Sequence, residues 1–120
     1  MLGPRPGVEC YHAHIYFEPS ELQLATRLHA EMSGRFGLPM GRIHNRPIGP
    51  HPVGMFQVIV PAEALARVTD WLEHHRQGLD VLVHEDTGDD YRDHTHGVRW
   101  LGQPHPLDLS VLRPATRAQV

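Results

Sequence analysis

Short segments rich in aromatic and β-branched residues, set between turn-forming residues, predict the strands of this chain. Residues 11–17 (YHAHIYF) alternate with the two-residue period of a strand, and residues 55–60 (MFQVIV) and 79–84 (LDVLVH) give two more. Weaker patterns predict strands over 40–46 and 98–102. Because alternate side chains of a strand face opposite sides of the sheet, each segment presents one core face and one open face.

Two helices are predicted where apolar residues recur at three- and four-residue steps. In the first, Ser20 and Gln23 form a capping-box pattern, and Gly37 suits the C-terminal end. Its apolar stripe is Leu22, Ala25, Leu28, Met32 and Phe36. In the second, Pro61 suits the first turn and Gly78 the end. Its stripe is Leu65, Val68 and Leu72.

The order of elements is therefore β-α-β-β-α-β followed by a short extra C-terminal strand. This order is typical of the ferredoxin-like split βαβ arrangement, an α+β fold in which two helices cover one face of an antiparallel sheet. We expect the strands over 11–17 and 55–60 to run parallel in the centre of that sheet. The domain is predicted over residues 1–102, and residues 103–120, with three prolines, form a C-terminal arm or tail.

Composition narrows the function classes. A chain of 120 residues with a net charge of −3 has room for one core and carries no basic stripe, so we expect no nucleic acid partner. Cys10 is the only cysteine, which excludes an internal disulfide and a multi-cysteine metal site. There is no apolar segment of signal-peptide or membrane-spanning character, and we expect a cytoplasmic protein with no membrane partner.

Histidine is unusually frequent: eleven in 120 residues is roughly four times a background of about two per cent. The strand period and the predicted topology bring five of them to one end of the open face, namely His12, His14, His44, His51 and His84. His94, on the following loop, can reach the same end. Converging imidazoles predict a site for Zn, Cu, Fe or Ni. His29, His74, His75 and His105 are interpreted as surface residues.

The acidic loop after the strand over 79–84 could contribute to such a site. Its sequence is HEDTGDDYRDH, in which a carboxylate could bind a metal directly or accept a hydrogen bond from an imidazole. The carboxylates are Glu85, Asp86, Asp89, Asp90 and Asp93.

Four ordered motifs, YHAHIYF, GRIHNRPIGPHP, GLDVLVHEDTGDDYRDHT and RWLG, resemble the DOPA 4,5-dioxygenase family. The resemblance covers about residues 11–102. It implies a ferredoxin-like, non-haem Fe(II) enzyme, an extradiol dioxygenase that opens a catechol ring with O2. Fe(II) is thus the expected cofactor, although Zn or another divalent metal can occupy such a site.

The motif histidines carry over as His12, His14, His51, His84 and His94. We assign His14, His51 and His84 as metal ligands because they come from three neighbouring strands. His12 and His94 are assigned to catalysis, in proton transfer and hydrogen bonding. Substrate contacts are assigned to Arg42, His44 and Tyr16. The more familiar iron triad has two histidines and one carboxylate, in which case Glu85 or an aspartate of the acidic loop replaces one ligand.

Apolar residues on the open face predict a homodimer, because a second copy could bury Met55, Ile59 and Leu82. Two other functions use the same histidines. One is a Zn or Ni metalloenzyme, such as a hydrolase or isomerase. The other is a non-catalytic module that binds a metal or a small ligand.

Overall fold

The computed structural model describes residues 2–112, which contain one four-stranded sheet. Its strands are β1 (Cys10–Phe17), β2 (Gly54–Pro61), β3 (Val81–Glu85) and β4 (Val98–Leu101). Their order is β2-β1-β3-β4, and every neighbouring pair is antiparallel. The predicted α+β class with an antiparallel sheet is confirmed.

Two long helices cover one face of the sheet, α1 (Leu22–Phe36) and α2 (Ala62–His75), and α3 (Asp90–Asp93) is a single turn. The predicted apolar stripes are the faces that pack on the sheet. Gly37 ends α1 in the left-handed conformation, as predicted. The predicted capping box was wrong: a 3₁₀ turn precedes α1, so the reciprocal bonds join Glu18 and Glu21 instead.

Two expectations about the sheet were wrong. Residues 40–46 form no regular strand, and only the isolated bridges Met40–Val58 and His44–Met55 join this segment to β2. The strand over 55–60 runs antiparallel to β1, with Phe17 opposite Gly54. The start of β2 therefore lies at the end of β1 that is remote from His12. The ferredoxin-like arrangement is therefore not confirmed, because its parallel central pair is absent from the sheet within residues 2–112.

The open face carries a second, smaller apolar cluster, and residues of β4, of the loop before β2 and of the C-terminal segment pack against it. Tyr16, Met55 and Leu82 form its buried centre. The surrounding residues are Val53, Val98, Trp100 and Leu107. The C-terminal segment is attached to the loop before β2 by a bond from the Asp108 amide to the Pro50 carbonyl, 2.9 Å long. Met55 and Leu82 are thus buried within one chain, which removes them from the reasons to expect a homodimer.

Within residues 2–112, the helices are too short or too polar to be candidates for crossing a membrane.

Candidate active site

The centre of the site is formed by neighbouring strands. In the β1–β3 register His12 lies opposite His84, and His14 lies opposite Leu82. Both β1 histidines project from the open face, as the alternation predicted. The Nε2 atoms of His14 and His84 are 3.0 Å apart, and the ring centres of His12 and His84 are 5.0 Å apart.

Two histidines from outside the strands complete the site. His51 comes from the loop before β2 and lies with its ring centre 4.2 Å from that of His14. His94 follows α3, and its ring centre lies 4.0 Å from that of His84. We call these five residues, His12, His14, His51, His84 and His94, the histidine cluster. His51 reaches it because its loop lies against the open face, not because of a parallel strand.

Potential ligand atoms converge in two overlapping sets. One comprises His12, His14 and His84, and the other comprises His14, His51 and His94. Within each set the ligand atoms lie within 4.8 Å of one another. His14 is common to both, so it is the centre of any metal site built from this cluster.

Backbone carbonyls determine the tautomers of two rings. The Nδ1 of His84 donates to the carbonyl of Glu85 at 2.8 Å, and the Nδ1 of His94 donates to the carbonyl of Asp90 at 2.7 Å. In each ring the Nε2 lone pair is therefore free to bind a metal, in the arrangement common for histidine ligands.

Side chains of the open face orient the other two buried rings. The Nδ1 of His51 lies 2.7 Å from the hydroxyl oxygen of Tyr16. The Nδ1 of His14 faces the sulfur of Met55 at 3.5 Å. Both partners leave the Nε2 of their histidine available to the centre of the cluster.

Burial keeps His14, His51 and His84 uncharged at neutral pH, because desolvation disfavours the protonated ring. It lowers the pKa of His51 to about 4 and the pKa of His84 to about 3. The pKa of His14 lies well below its usual range for the same reason, and the neighbouring histidines lower it further. Burial also lowers the pKa of His12, against the opposing effect of Asp86. Neutral imidazoles are the form that binds metal ions.

The sequence profile of the Dopa 4,5-dioxygenase family matches residues 11–111, which contain every element of the sheet except the first residue of β1. The chain belongs to the Dopa 4,5-dioxygenase family. It is similar to a DOPA 4,5-dioxygenase from Amanita muscaria, with 37% identity over 111 residues that cover 85% of this chain. It is also similar to an uncharacterized 21.2 kDa protein from Botryotinia fuckeliana, with 32% identity over 92% of this chain.

The chain spans 49% of the Amanita protein and 66% of the Botryotinia protein. A solved structure, that of a candidate dioxygenase from Nostoc punctiforme, shares the fold with a TM-score of 0.84 and 40% identity. That match covers 88% of this chain and 92% of the Nostoc protein.

In this member of the Dopa 4,5-dioxygenase family, the carboxylates of the acidic loop have separate structural partners. Glu85 receives two 2.8 Å bonds from the guanidinium of Arg5 and one of 2.7 Å from Arg92. These cations lower the pKa of Glu85 to about 2. Asp93 accepts bonds from the amide and hydroxyl of Thr87. Asp86 is the carboxylate that contacts the cluster, with its oxygen 3.3 Å from the Nε2 of His12.

Of the remaining predicted residues, Tyr16 lies at the site, whereas Arg42 and His44 lie away from its ligand atoms. Tyr16 is buried beside His51. Arg42 and His44 line a groove along residues 42–48, outside the two ligand sets. Arg42 is exposed, and His44 is half-buried through its backbone bridge to Met55.

His105 was interpreted as a surface residue but packs beside the site. Its ring centre lies 5.0 Å from that of Tyr16, and its Nε2 lies 2.8 Å from a carboxylate oxygen of Asp80. Strand periodicity could not place His105, because it follows β4 in an irregular segment. Met55, in contrast, lies in a strand whose alternation puts its side chain on the open face, so its place beside the site was predictable from the sequence.

Proposed function

We propose that this protein is an extradiol dioxygenase that opens catechol-type aromatic rings with O2 at a non-haem Fe(II) site. The observation that supports this most directly is the histidine cluster, whose imidazoles converge on His14 and of which four of five are buried. Membership of the Dopa 4,5-dioxygenase family and the Nostoc structure support the same reaction class.

The donor set fits Fe(II). Imidazole nitrogens suit this ion, and a ligand set of three leaves positions for substrate and O2. We propose His14, His51 and His84 as the ligands. His14 shares one converging set with His84 and the other with His51, so these three would meet around His14. When bound, Fe(II) supplies Lewis acidity toward the catechol oxygens and one-electron redox chemistry toward O2. Glu85 is not proposed as a ligand, because Arg5 and Arg92 already occupy both of its oxygens.

His12 is the proposed base for the catechol. Its side chain is one-fifth exposed, and its Nε2 faces Asp86 at 3.3 Å. With Nε2–H donating to Asp86, the Nδ1 lone pair is free to accept the first catechol proton. His94 is proposed to hydrogen-bond to reacting oxygen atoms through Nε2, because its Nδ1–H is held by Asp90.

The substrate class follows from the groove beside the site. Arg42 and Arg46 line this groove, and both are exposed. Arginine suits bidentate binding of a carboxylate, so we propose a catechol that carries a carboxylate side chain. His44 and Tyr16 are the proposed contacts between this groove and the ring. The expected homodimer also stays a proposal.

The test is to load the protein with Fe(II) anaerobically, mix it with a catechol, and then admit O2. Uptake of O2 together with the yellow absorption of a muconic semialdehyde supports the proposal. Faster turnover of 3,4-dihydroxycinnamate than of catechol itself supports the carboxylate contact. Absence of uptake with every catechol contradicts the proposal and favours the Zn or Ni enzyme or the binding module. His14→Ala should lack activity, and His29→Ala, a histidine outside the cluster, is the matched control.

A further inference from the structure

A group of three different metal-ligand side chains lies at the rim of the histidine cluster. It comprises Cys10, His12 and Asp86, whose ligand atoms all lie within 4.8 Å of one another. The set combines a thiol, an imidazole and a carboxylate. None of the catalytic steps proposed above uses Cys10.

The strand geometry explains why these residues converge. Cys10 and His12 are two positions apart on β1, so both side chains project from the same face. Asp86 immediately follows β3, and its amide donates to the carbonyl of Cys10 at 2.9 Å. The backbone bond places Asp86 directly beside the first residue of β1. The site is therefore built by sheet pairing rather than by a flexible loop alone.

We propose that Cys10, His12 and Asp86 form a second metal site, for a Zn²⁺-type cation, distinct from the Fe(II) site proposed at His14, His51 and His84. Thiolate, imidazole and carboxylate are the three ligand types that Zn²⁺ takes in proteins, and three protein ligands leave a fourth position for water. Hard cations such as Mg²⁺ and Ca²⁺ prefer oxygen-only sets, so the thiol and the imidazole disfavour them. On binding, the cation displaces the thiol proton to solvent.

Occupancy of this rim site has a consequence for catalysis that rests on the proposed function. A cation bound through the Nε2 of His12, the atom that faces Asp86, leaves the ring hydrogen on Nδ1, so Nδ1 can no longer accept the catechol proton. Excess Zn²⁺ is therefore expected to inhibit an Fe(II)-loaded enzyme, and Cys10→Ser is expected to relieve part of that inhibition. Binding itself can be measured without any turnover.

The direct test uses Co²⁺, which gives a near-ultraviolet thiolate charge-transfer band when a cysteine binds it. Because Cys10 is the only cysteine of the chain, such a band reports this site alone. We expect the band in the metal-titrated protein, its loss in Cys10→Ser, and its marked weakening in Asp86→Asn. Glu9→Gln removes an exposed carboxylate next to Cys10 that is not part of the set, and it should leave the band unchanged.

Zn²⁺ has no visible absorption, so its binding is measured by the reactivity of the Cys10 thiol. Zn²⁺ should slow the reaction of the Cys10 thiol with a disulfide reagent in the wild-type protein and in Glu9→Gln, but not in Asp86→Asn. Absence of a thiolate band at saturating Co²⁺ would overturn the proposal. So would a band that persists unchanged in Asp86→Asn, because that result indicates that Asp86 is not a ligand. Neither outcome depends on whether the protein opens catechols.

Discussion

The Nε2 atoms of His14 and His84 lie 3.0 Å apart although 70 positions separate the two residues in the sequence. Because His84 donates its Nδ1–H to the carbonyl of Glu85, its Nε2 can only accept, and the bridging hydrogen belongs to His14. A metal between the two nitrogens requires that hydrogen to move to the Nδ1 of His14. The sulfur of Met55, 3.5 Å away, is a weak acceptor for it there.

The first prediction concerns metal content. His14→Ala should lose the bound metal, since His14 belongs to both ligand sets, and His51→Ala and His84→Ala should each reduce metal binding strongly. Elemental analysis of protein purified without chelators measures this. His29→Ala should keep the wild-type metal content, because that ring bonds to the carbonyl of Gly41 and lies outside the cluster. Full metal retention by the three cluster variants would refute the ligand assignment.

The second prediction concerns the hydrogen bond between Tyr16 and His51. With the Nε2 of His51 on a metal, its Nδ1–H donates to the Tyr16 oxygen, and Tyr16→Phe leaves that N–H buried without a partner. Loss of such an outer partner lowers metal affinity by about tenfold or more. Competition with a chelator measures the change. Tyr11→Phe is the control, because its hydroxyl bonds to the amide of Arg5 on the other face of β1; equal losses in both variants would contradict the role of Tyr16.

Several features of this site were predictable from the sequence. The two-residue period placed His12 and His14 on the open face and Phe56, Val58 and Val60 in the core, because burial of one sheet face enforces that alternation. The route of the loop before β2 was not predictable, since it depends on contacts made after folding. His51 lies beside His14 as predicted, but its loop brings it there and not a parallel strand.

The third prediction concerns pH. In the unfolded chain a histidine has a pKa near 6.5, whereas burial lowers the pKa of His51 to about 4 and that of His84 to about 3. Below pH 6.5 the unfolded chain therefore binds protons that the folded chain does not. The free energy of unfolding of the metal-free protein should fall as the pH falls toward those values. Between pH 7 and pH 5, each of these histidines should lower the free energy of unfolding by about 2 kcal/mol.

Urea unfolding at several pH values measures this dependence. His51→Gln should flatten the profile, because it removes one of the groups that titrate only after unfolding. His74→Gln changes an exposed histidine on α2 and should leave the profile as it is. A profile in His51→Gln as steep as that of the wild-type protein would contradict the explanation.

The fourth prediction concerns Gly54, the first residue of β2. A Cβ atom at this position would lie 2.7 Å from the carbonyl oxygen of His44 and 3.0 Å from the ring of Phe17. Gly54→Ala must displace the backbone that leads to His51, and it should lower the free energy of unfolding by about 2 kcal/mol. Gly34 lies within α1, and a Cβ at this position would have nothing within 4 Å. Gly34→Ala should therefore raise the free energy of unfolding by about 0.5–1 kcal/mol. Urea unfolding of both variants measures the difference, and equal effects would argue against the close packing at Gly54.

The bond between Arg5 and Glu85 has a practical consequence for designing expression fragments. The family profile begins at residue 11, so a fragment trimmed to the matching region lacks Arg5. Among residues 2–112, Glu85 would then keep only Arg92 as a cationic partner, directly beside His84. A minimal domain cut at the family boundary would therefore disturb the end of β3 that carries the histidine cluster, and boundaries that include residues 2–9 are preferable.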